Sequence, residues 1–410
     1  MKLYALLVFC GITSQLLSQQ VDGGNGHSII LDKRGIVYTI GRNNYGQLGD
    51  STFVNSSHPV KVERLPKIKV ISRGYDHALA IDYEGNLWAW GRNNYGQLGT
   101  SLPEDCSTPQ KLGGHTGFKT VEGGHWHTVA LKEDGTVWTW GHNLYGELGN
   151  GTREHSIYPT QVITETGERL RDIVDIVSVG YHTLALDSKG NVYSWGGNQF
   201  GELGHFNREI QPFAKKIEVL HSIKNVAVGW HHSLALDKNG QVFVWGSDPS
   251  TQNKEETGSF YPKITKMEGL PKINKIACGS WHSLAIDTDG KVWGWGKNHF
   301  GMLGTGDTLS TSVPIRLDLP PGICEIGGGC FQTLAIDSKG HIWTMGDNPG
   351  GQQGQGNYKR LLSPEKVVFD KGKESHPGSG SNLKIIFLTL FALSITLNAY
   401  LLLRRMKSVK

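Results

Sequence analysis

An all-β fold, a seven-bladed β-propeller, is predicted by three observations on this 410-residue chain. A Trp-Gly step or a variant of it recurs, ending at Gly41, Gly91, Gly141, Gly196, Gly246, Gly296 and Gly346, with every interval 50 residues except one of 55. Each copy carries short runs of strand-type alternation around an Asp/Gly turn. Glycine makes up 55 of the 410 residues, roughly twice the usual ~7%. With only 15 Pro and no Gly-X-Y period, collagen and low-complexity disorder are excluded. Twelve Trp, 13 Tyr and 13 Phe supply a core.

The second copy shows the elements in order. His77 to Asp82 alternates, with Leu79 and Ile81 on one face and Ala78 and Ala80 on the other. That is a strand buried on both faces, large on one side and small on the other. Asp82 to Gly85 is a turn in which Asp bonds the backbone and Gly takes positive φ. Leu87 to Trp90 is the return strand, with Trp88 and Trp90 on one face. Asn93-Asn94-Tyr95-Gly96-Gln97-Leu98-Gly99 is an ordered loop with Leu98 plugged down. Segments of the type Val60–Val62 and Ile68–Ile71 supply a third and a fourth strand. Four antiparallel strands per copy, repeated around a ring, bury faces that one blade alone would expose. The last copy lacks a fourth strand after it, so the stretch Gln19-Gln20-Val21 is expected to complete the seventh blade.

The repeat Gly-x-x-His-[Ser/Thr]-x-Ala-[Leu/Ile]-Asp-x-x-Gly-x-Val-Trp-x-Trp-Gly-x-Asn-x-Tyr-Gly-x-Leu-Gly resembles that of the regulator of chromosome condensation family. The resemblance runs from about Val21 to Asp370. It implies a seven-bladed propeller. Function varies within the family more than fold does. The founding member exchanges guanine nucleotide on Ran and binds chromatin. A plant ultraviolet-B photoreceptor uses Gly-Trp-Arg-His-Thr with Trp–Arg clusters, whereas this chain has Gly229-Trp230-His231-His232-Ser233, without the Arg. Other relatives, a bacterial β-lactamase inhibitor among them, are extracellular binding propellers.

The two ends point to a compartment. Met1-Lys2, an apolar run Leu3–Ile12 and small residues beyond it form an expected signal peptide, residues 1–18, with cleavage after Ser14 or Ser18. The propeller is expected over 19–370 and a polar Gly/Ser linker over 371–384. Ile385–Leu403 is 19 residues without a charge, close to a bilayer span, and Arg404, Arg405, Lys407 and Lys410 follow it. By the positive-inside rule the tail 404–410 is cytoplasmic and the body extracellular or luminal, a single-pass type I arrangement. Sequons at Asn55 and Asn150 agree with that compartment.

Of 41 basic residues, six (Lys2, Lys384, Arg404, Arg405, Lys407 and Lys410) lie in or beside the ends, leaving 35 against 37 acidic ones. A near-neutral body argues against a nucleic-acid binder. The recurrent His27, His77, His127, His182, His232 and His282, with Gln332 in the seventh copy, are spread one per blade and are read as structural rather than metal ligands. The recurrent Asp82, Asp187, Asp237, Asp287 and Asp337 are read as turn residues. No catalytic triad, zinc or phosphate-loop signature stands out, so no catalytic residue, cofactor or metal is assigned and the chain is not read as an enzyme. Cys324 and Cys330 either bridge across a hairpin or remain two buried thiols. The fifth copy replaces its loop with Ser247–Glu256, making Asp248, Lys254, Glu255 and Glu256 a candidate partner-contact loop, and the third-to-fourth connection is longer around Thr164–Asp172. The expected function is therefore non-catalytic binding of a protein or glycan ligand by a membrane-tethered propeller. The alternative is a tail-anchored cytosolic guanine-nucleotide exchange factor for a small GTPase.

Overall fold

A computed structural model describes residues 20–100, 104–247 and 263–369. Their strands form seven four-stranded antiparallel sheets, each built from four strands consecutive in the chain. Blade 1 comprises β1 (Gln20–Gly23), β2 (His27–Leu31), β3 (Val37–Gly41) and β4 (Ser56–Lys61). Blade 2 comprises β5 (Ile68–Arg73), β6 (His77–Asp82), β7 (Leu87–Gly91) and β8 (Cys106–Lys111). The other blades start with β9 (Phe118–Gly123), β13 (Ile173–Val179), β17 (Ile223–Val228), β21 (Ile273–Cys278) and β25 (Ile323–Gly328). These first strands pack on one another around the ring, which places them innermost.

Ring closure corrects the expectation that Gln19–Val21 completes the seventh blade. β1 pairs with β2 of its own blade, Gln20 opposite Leu31, and β25 opens a complete seventh blade with β26 (Gln332–Asp337), β27 (Ile342–Gly346) and β28 (Leu361–Lys366). The physical reason is the tight Gly-x-x-His connection, which folds each innermost strand directly onto the strand after it. Strands of the Ile68 type therefore begin a blade rather than end one, and no blade is left short.

The second strand of blade 2 is buried along its length. Leu79 and Ile81 pack toward blade 3 with Phe118, Val121 and Trp140. Ala78 and Ala80 face blade 1 and lie opposite Trp90 and Trp88 in the ladder. Small residues opposite indoles let blades 2 to 6 each lodge a tryptophan against a neighbour. Trp90, Trp140, Trp195, Trp245 and Trp295 are fully buried in this way. At the opposite end Asp82 closes the turn: its carboxylate accepts from the Asn86 backbone at 2.8 Å and from Trp88 Nε1 at 3.0 Å. Burial opposes that charge, but the donors outweigh it and hold the carboxyl below its usual range.

The Asn-x-Tyr-Gly-x-Leu-Gly loop is organised by its asparagine. Asn43 Oδ1 accepts from the Leu48 backbone at 2.9 Å, and Nδ2 donates to the Thr52 carbonyl at 3.0 Å. The closing glycine is required twice over. Gly49 has φ +67°, and a Cβ there would lie 2.7 Å from Trp90 Nε1 of the next blade.

The longer third-to-fourth connection is ordered. Ile163 bridges Arg169, and Thr164 bridges Ala214 of the fourth blade. The chain divides into two units, Met1–Val368 and Phe369–Lys410. Among the described residues no helix is long and apolar enough to cross a membrane. The expected signal peptide (1–18), linker (371–384), span (Ile385–Leu403) and tail (404–410) lie outside the described residues.

Candidate interaction surface

The first and second strands are joined by a short Gly-x-x-His connection in five blades, by Val179-Gly180-Tyr181-His182 in the fourth and by Gly329-Cys330-Phe331-Gln332 in the seventh, and these connections meet around the axis. Backbone bonds link them from blade to blade: Asn25 N to Tyr75 O at 3.0 Å, Tyr75 N to Gly124 O at 3.2 Å, and His125 N to Gly180 O at 2.7 Å. Further round, Trp230 N donates to Ser280 O at 2.9 Å, Ser280 N to Gly329 O at 3.1 Å and Cys330 N to Gly24 O at 3.2 Å. The conserved frame of the repeat thus presents its two variable residues at one end of the ring.

Those variable residues are aromatic through the middle blades. His125 stacks on Trp126 at 4.0 Å and meets Tyr75 edge-on at 4.3 Å and Tyr181 at 4.9 Å. Tyr75 touches Trp230 at 5.5 Å, and Trp230 touches Trp281 at 5.8 Å. The loop tyrosines extend the chain, with Tyr95 stacked on Trp126 at 5.2 Å and Tyr145 against Tyr181 at 4.9 Å. Tyr75, Trp126, Tyr181, Trp230 and Trp281 are each half-buried, so their faces are shared between packing and solvent. Two cations border this platform. Arg92 lies 4.6 Å from the Tyr45 ring and 5.5 Å from Trp126, and pairs with Asp76 at 3.3 Å. Lys297 lies 4.0 Å over Trp281. Aromatic and cationic side chains in this state are the residue types that dominate binding energy at protein interfaces.

Polar groups fix the rings. His125 Nδ1 and the Tyr181 hydroxyl share a 2.5 Å hydrogen bond. Burial lowers His125 to about 3, and burial raises Tyr75 to about 12 and Tyr181 further still, so all three are neutral at physiological pH. Beside them His142 Nδ1 donates to Glu147 Oε1 at 2.6 Å, and Glu147 Oε2 accepts from the Tyr145 backbone at 2.8 Å. In the first two copies a neutral glutamine, Gln47 or Gln97, accepts the same backbone bond.

The repeat histidines lie in the blade interfaces and form a belt. His182 Nε2 lies 3.0 Å from Ser233 Oγ of the next blade, whose hydroxyl donates to the Glu202 carbonyl at 2.9 Å. The hydroxyl's proton is committed to the carbonyl, so the histidine donates from Nε2. His282 and Thr333 repeat the geometry at 2.7 Å, and His77 and Thr128 at 3.3 Å. His127 reaches Ser178 at 3.1 Å, and Gln332 Nε2 takes the histidine's place by donating to Ser28 at 2.9 Å. His27 faces Ala78, which has no hydroxyl, and neither of its ring nitrogens has a partner. The belt packs against glycine: a Cβ on Gly74 would fall 1.9 Å from His77 Cε1.

The sequence-derived candidates are dispersed. Asn55 is exposed, and its Oδ1 accepts from the Asn43 backbone at 2.8 Å. Asn150 is half-buried, and its Oδ1 accepts from Thr152 N and Oγ1 at 3.0 and 2.8 Å. Of the two readings of Cys324 and Cys330, a bridge or two buried thiols, neither holds in full. Both are free thiols, Cys324 exposed and Cys330 buried. Cys324 sits near the start of β25 and Cys330 lies beyond its end. The strand from Cys324 to Gly328 alone rises about 13 Å at 3.3 Å per residue, against the roughly 7 Å that a disulfide spans between Cα atoms. Asp248, Lys254, Glu255 and Glu256 lie outside the described residues. No group of three or more His, Cys, Asp or Glu able to hold a metal occurs among the described residues. The aromatic platform escaped sequence reading, which dwelt on the recurring residues. Its signal was the reverse: the two positions inside each Gly-x-x-His that change from copy to copy and become Tyr, His or Trp.

The seven sheets and their recurrent loops define a seven-bladed repeat propeller. The chain belongs to the RCC1-like domain family, whose model matches residues 102–388. Regulator of chromosome condensation (RCC1) repeat models match residues 34–81, 19–47 and 68–97. Alsin from Pan troglodytes is 40% identical over 60 residues, a match covering 14% of this chain and 4% of that relative's own length. Human WBSCR16 has the same fold, with a TM-score of 0.70 at 23% identity over 82% of this chain and 94% of that one. Prp20p from Saccharomyces cerevisiae, studied with its binding properties to Gsp1p and histones, superposes with a TM-score of 0.71 at 23% identity, covering 82% of this chain and 87% of that one.

Proposed function

We propose that this chain is a protein-binding propeller that docks its partner on the aromatic loop surface and works by association rather than by covalent chemistry. The observation that carries this is the continuous platform Tyr95–Trp126–His125–Tyr75–Trp230–Trp281, half-buried except for the buried His125 and bordered by Arg92 and Lys297. A small GTPase is the partner class to test first. The likeness to Prp20p supports it, since that protein is described with Gsp1p and histones. The test measures release of fluorescent GDP from a panel of small GTPases by the full chain, alongside direct binding. Wild-type stimulation or binding that is lost in Trp126→Ala/Trp230→Ala supports the reading. Binding unaffected by the double variant, or no binding across the panel, counts against it.

A second reading keeps the docking surface but puts it outside the cytosol, tethered to a membrane and facing a protein or glycan ligand. The uncharged stretch Ile385–Leu403 with its basic tail favours it, as does the exposed sequon at Asn55. Glycosidase treatment of the expressed chain separates the two locations. A mobility shift absent from Asn55→Gln/Asn150→Gln supports the luminal reading. An unshifted band with the body open to protease from the cytosolic side supports the GTPase reading.

A further inference from the structure

The interface between blade 7 and blade 1 differs from the others. As at every other interface among the described residues, no strand is exchanged across it, so the difference lies in the side chains. Its apolar cluster is Val21, Ile30, Ile40, Leu334, Ile336, Ile342 and Val367, with Ile40 where the next five blades place a fully buried tryptophan. An aliphatic side chain there removes much of the area an indole would bury. Gln332 replaces the belt histidine. By packing alone this seam is the weakest joint in the ring.

Gln332 and Ser28 bond across it, to Ser28 Oγ and to the Gln352 carbonyl, and one charged side chain reaches over it from a third blade. Arg73, at the end of β5 in blade 2, is 5% exposed. Its Nε donates to Asp22 Oδ1 of blade 1 at 3.2 Å, and its Nη2 donates to the Gly328 carbonyl of blade 7 at 2.9 Å. One guanidinium therefore joins three consecutive blades, two of them on opposite sides of the seam. The same register position in the other blades carries Gly23, Gly123, Ser178, Val228, Cys278 and Gly328, none of which can make this reach. Glycine at Gly23 leaves the intervening blade without a side chain at that register. A planar fork with fixed donors suits such a span, and a lysine's single ammonium does not. The loop ring crosses the same seam by the backbone bond from Cys330 N to Gly24 O, 3.2 Å.

We propose that Arg73 is the latch that closes this propeller, standing in for strand exchange, and that the blade 7–blade 1 seam is where the ring opens first. Opening there separates β1 from β25 and leaves the blades across the ring intact. The same opening breaks the loop ring beside Tyr75, so it changes one end of the aromatic platform.

Native-state hydrogen exchange on the full chain tests this by comparing wild type with Arg73→Met. Loss of charge-assisted bonds of this kind predicts a fall in protection of about 10- to 100-fold. The fall should be confined to β1 and β25, with β13 and β17 unchanged. An equal fall in all seven blades makes Arg73 a general stabiliser and overturns the proposal, as does unchanged protection at the seam. Should Arg73→Met fail to fold, Asp22→Asn gives the same reading with a smaller loss in the same two strands. The absence of a seam-specific loss in that variant overturns the latch equally.

Discussion

Acidification should unfold this propeller through its histidine belt. His27, His77, His182 and His282 are wholly buried and lowered by burial to about 3, and His127 to about 4. Unfolded, each returns to roughly 6.5. The unfolded chain then takes up protons that the folded chain refuses, so stability is intact above pH 6.5 and is lost as pH falls from there toward the folded values. At pH 5 each histidine costs about 2 kcal/mol, and the five together on the order of 10 kcal/mol, which is as large as the whole stability of many domains. Asp175 acts in the opposite sense. Burial raises it to about 6, so the folded chain takes its proton first and regains roughly 1–2 kcal/mol by pH 5. Histidine wins by number. Thermal and urea unfolding between pH 7.5 and pH 5 would show a steep loss, with close to five protons bound by the belt on unfolding less about one that Asp175 gives up. The substitution His77→Gln isolates one member, because Gln332 already serves at the equivalent position of the seventh blade. That variant should keep its donor and lower proton uptake by about one. A flat stability profile down to pH 5, or an unchanged slope in His77→Gln, would refute the reasoning.

Three further outcomes follow from the packing. Trp140→Ala empties a fully buried site and strips the Gln97 carbonyl of the indole N–H that meets it at 2.9 Å; denaturant titration should show a loss of about 3–5 kcal/mol. Gly99→Ala should destabilise by about 1–3 kcal/mol, since Gly99 has φ +68° and a Cβ would sit 2.8 Å from Trp140 Nε1. Gly113→Ala, where a Cβ meets nothing within 4 Å, should be neutral or slightly stabilising, and equal effects at the two sites would contradict the steric argument. Cys324 should alkylate in the native protein, with Cys106, Cys278 and Cys330 labelled only after unfolding; an intact mass showing two hydrogens lost would restore the bridge.

Much of the blade was legible before any coordinates. The alternation of Leu79 and Ile81 with Ala78 and Ala80, the Asp82 turn and the buried role of the histidines are local patterns, and local patterns report the environment a strand must meet. The frame of the repeat was less legible. A strand such as Ile68–Arg73 carries nothing in its own residues that says whether it ends one blade or begins the next. That depends on which neighbour its backbone pairs with, and the pairing is a non-local event. The spacing of Cys324 and Cys330 was ambiguous for the same reason, because a hairpin and a single extended strand share it.

The repeat period, the seven copies, the two-faced strands and the glycine corners were determined by the sequence alone, because each is enforced by sterics within about ten residues of chain. The tertiary structure decided what depends on closing the ring. It joined the variable residues of several Gly-x-x-His connections into one aromatic platform. It set every belt histidine but His27 against a hydroxyl 51 positions further along. It brought Arg73 to Gly328, 255 positions away, across the one seam that lacks a tryptophan on either side. Contacts at such separations come from the curvature of the ring, which no short stretch of chain encodes.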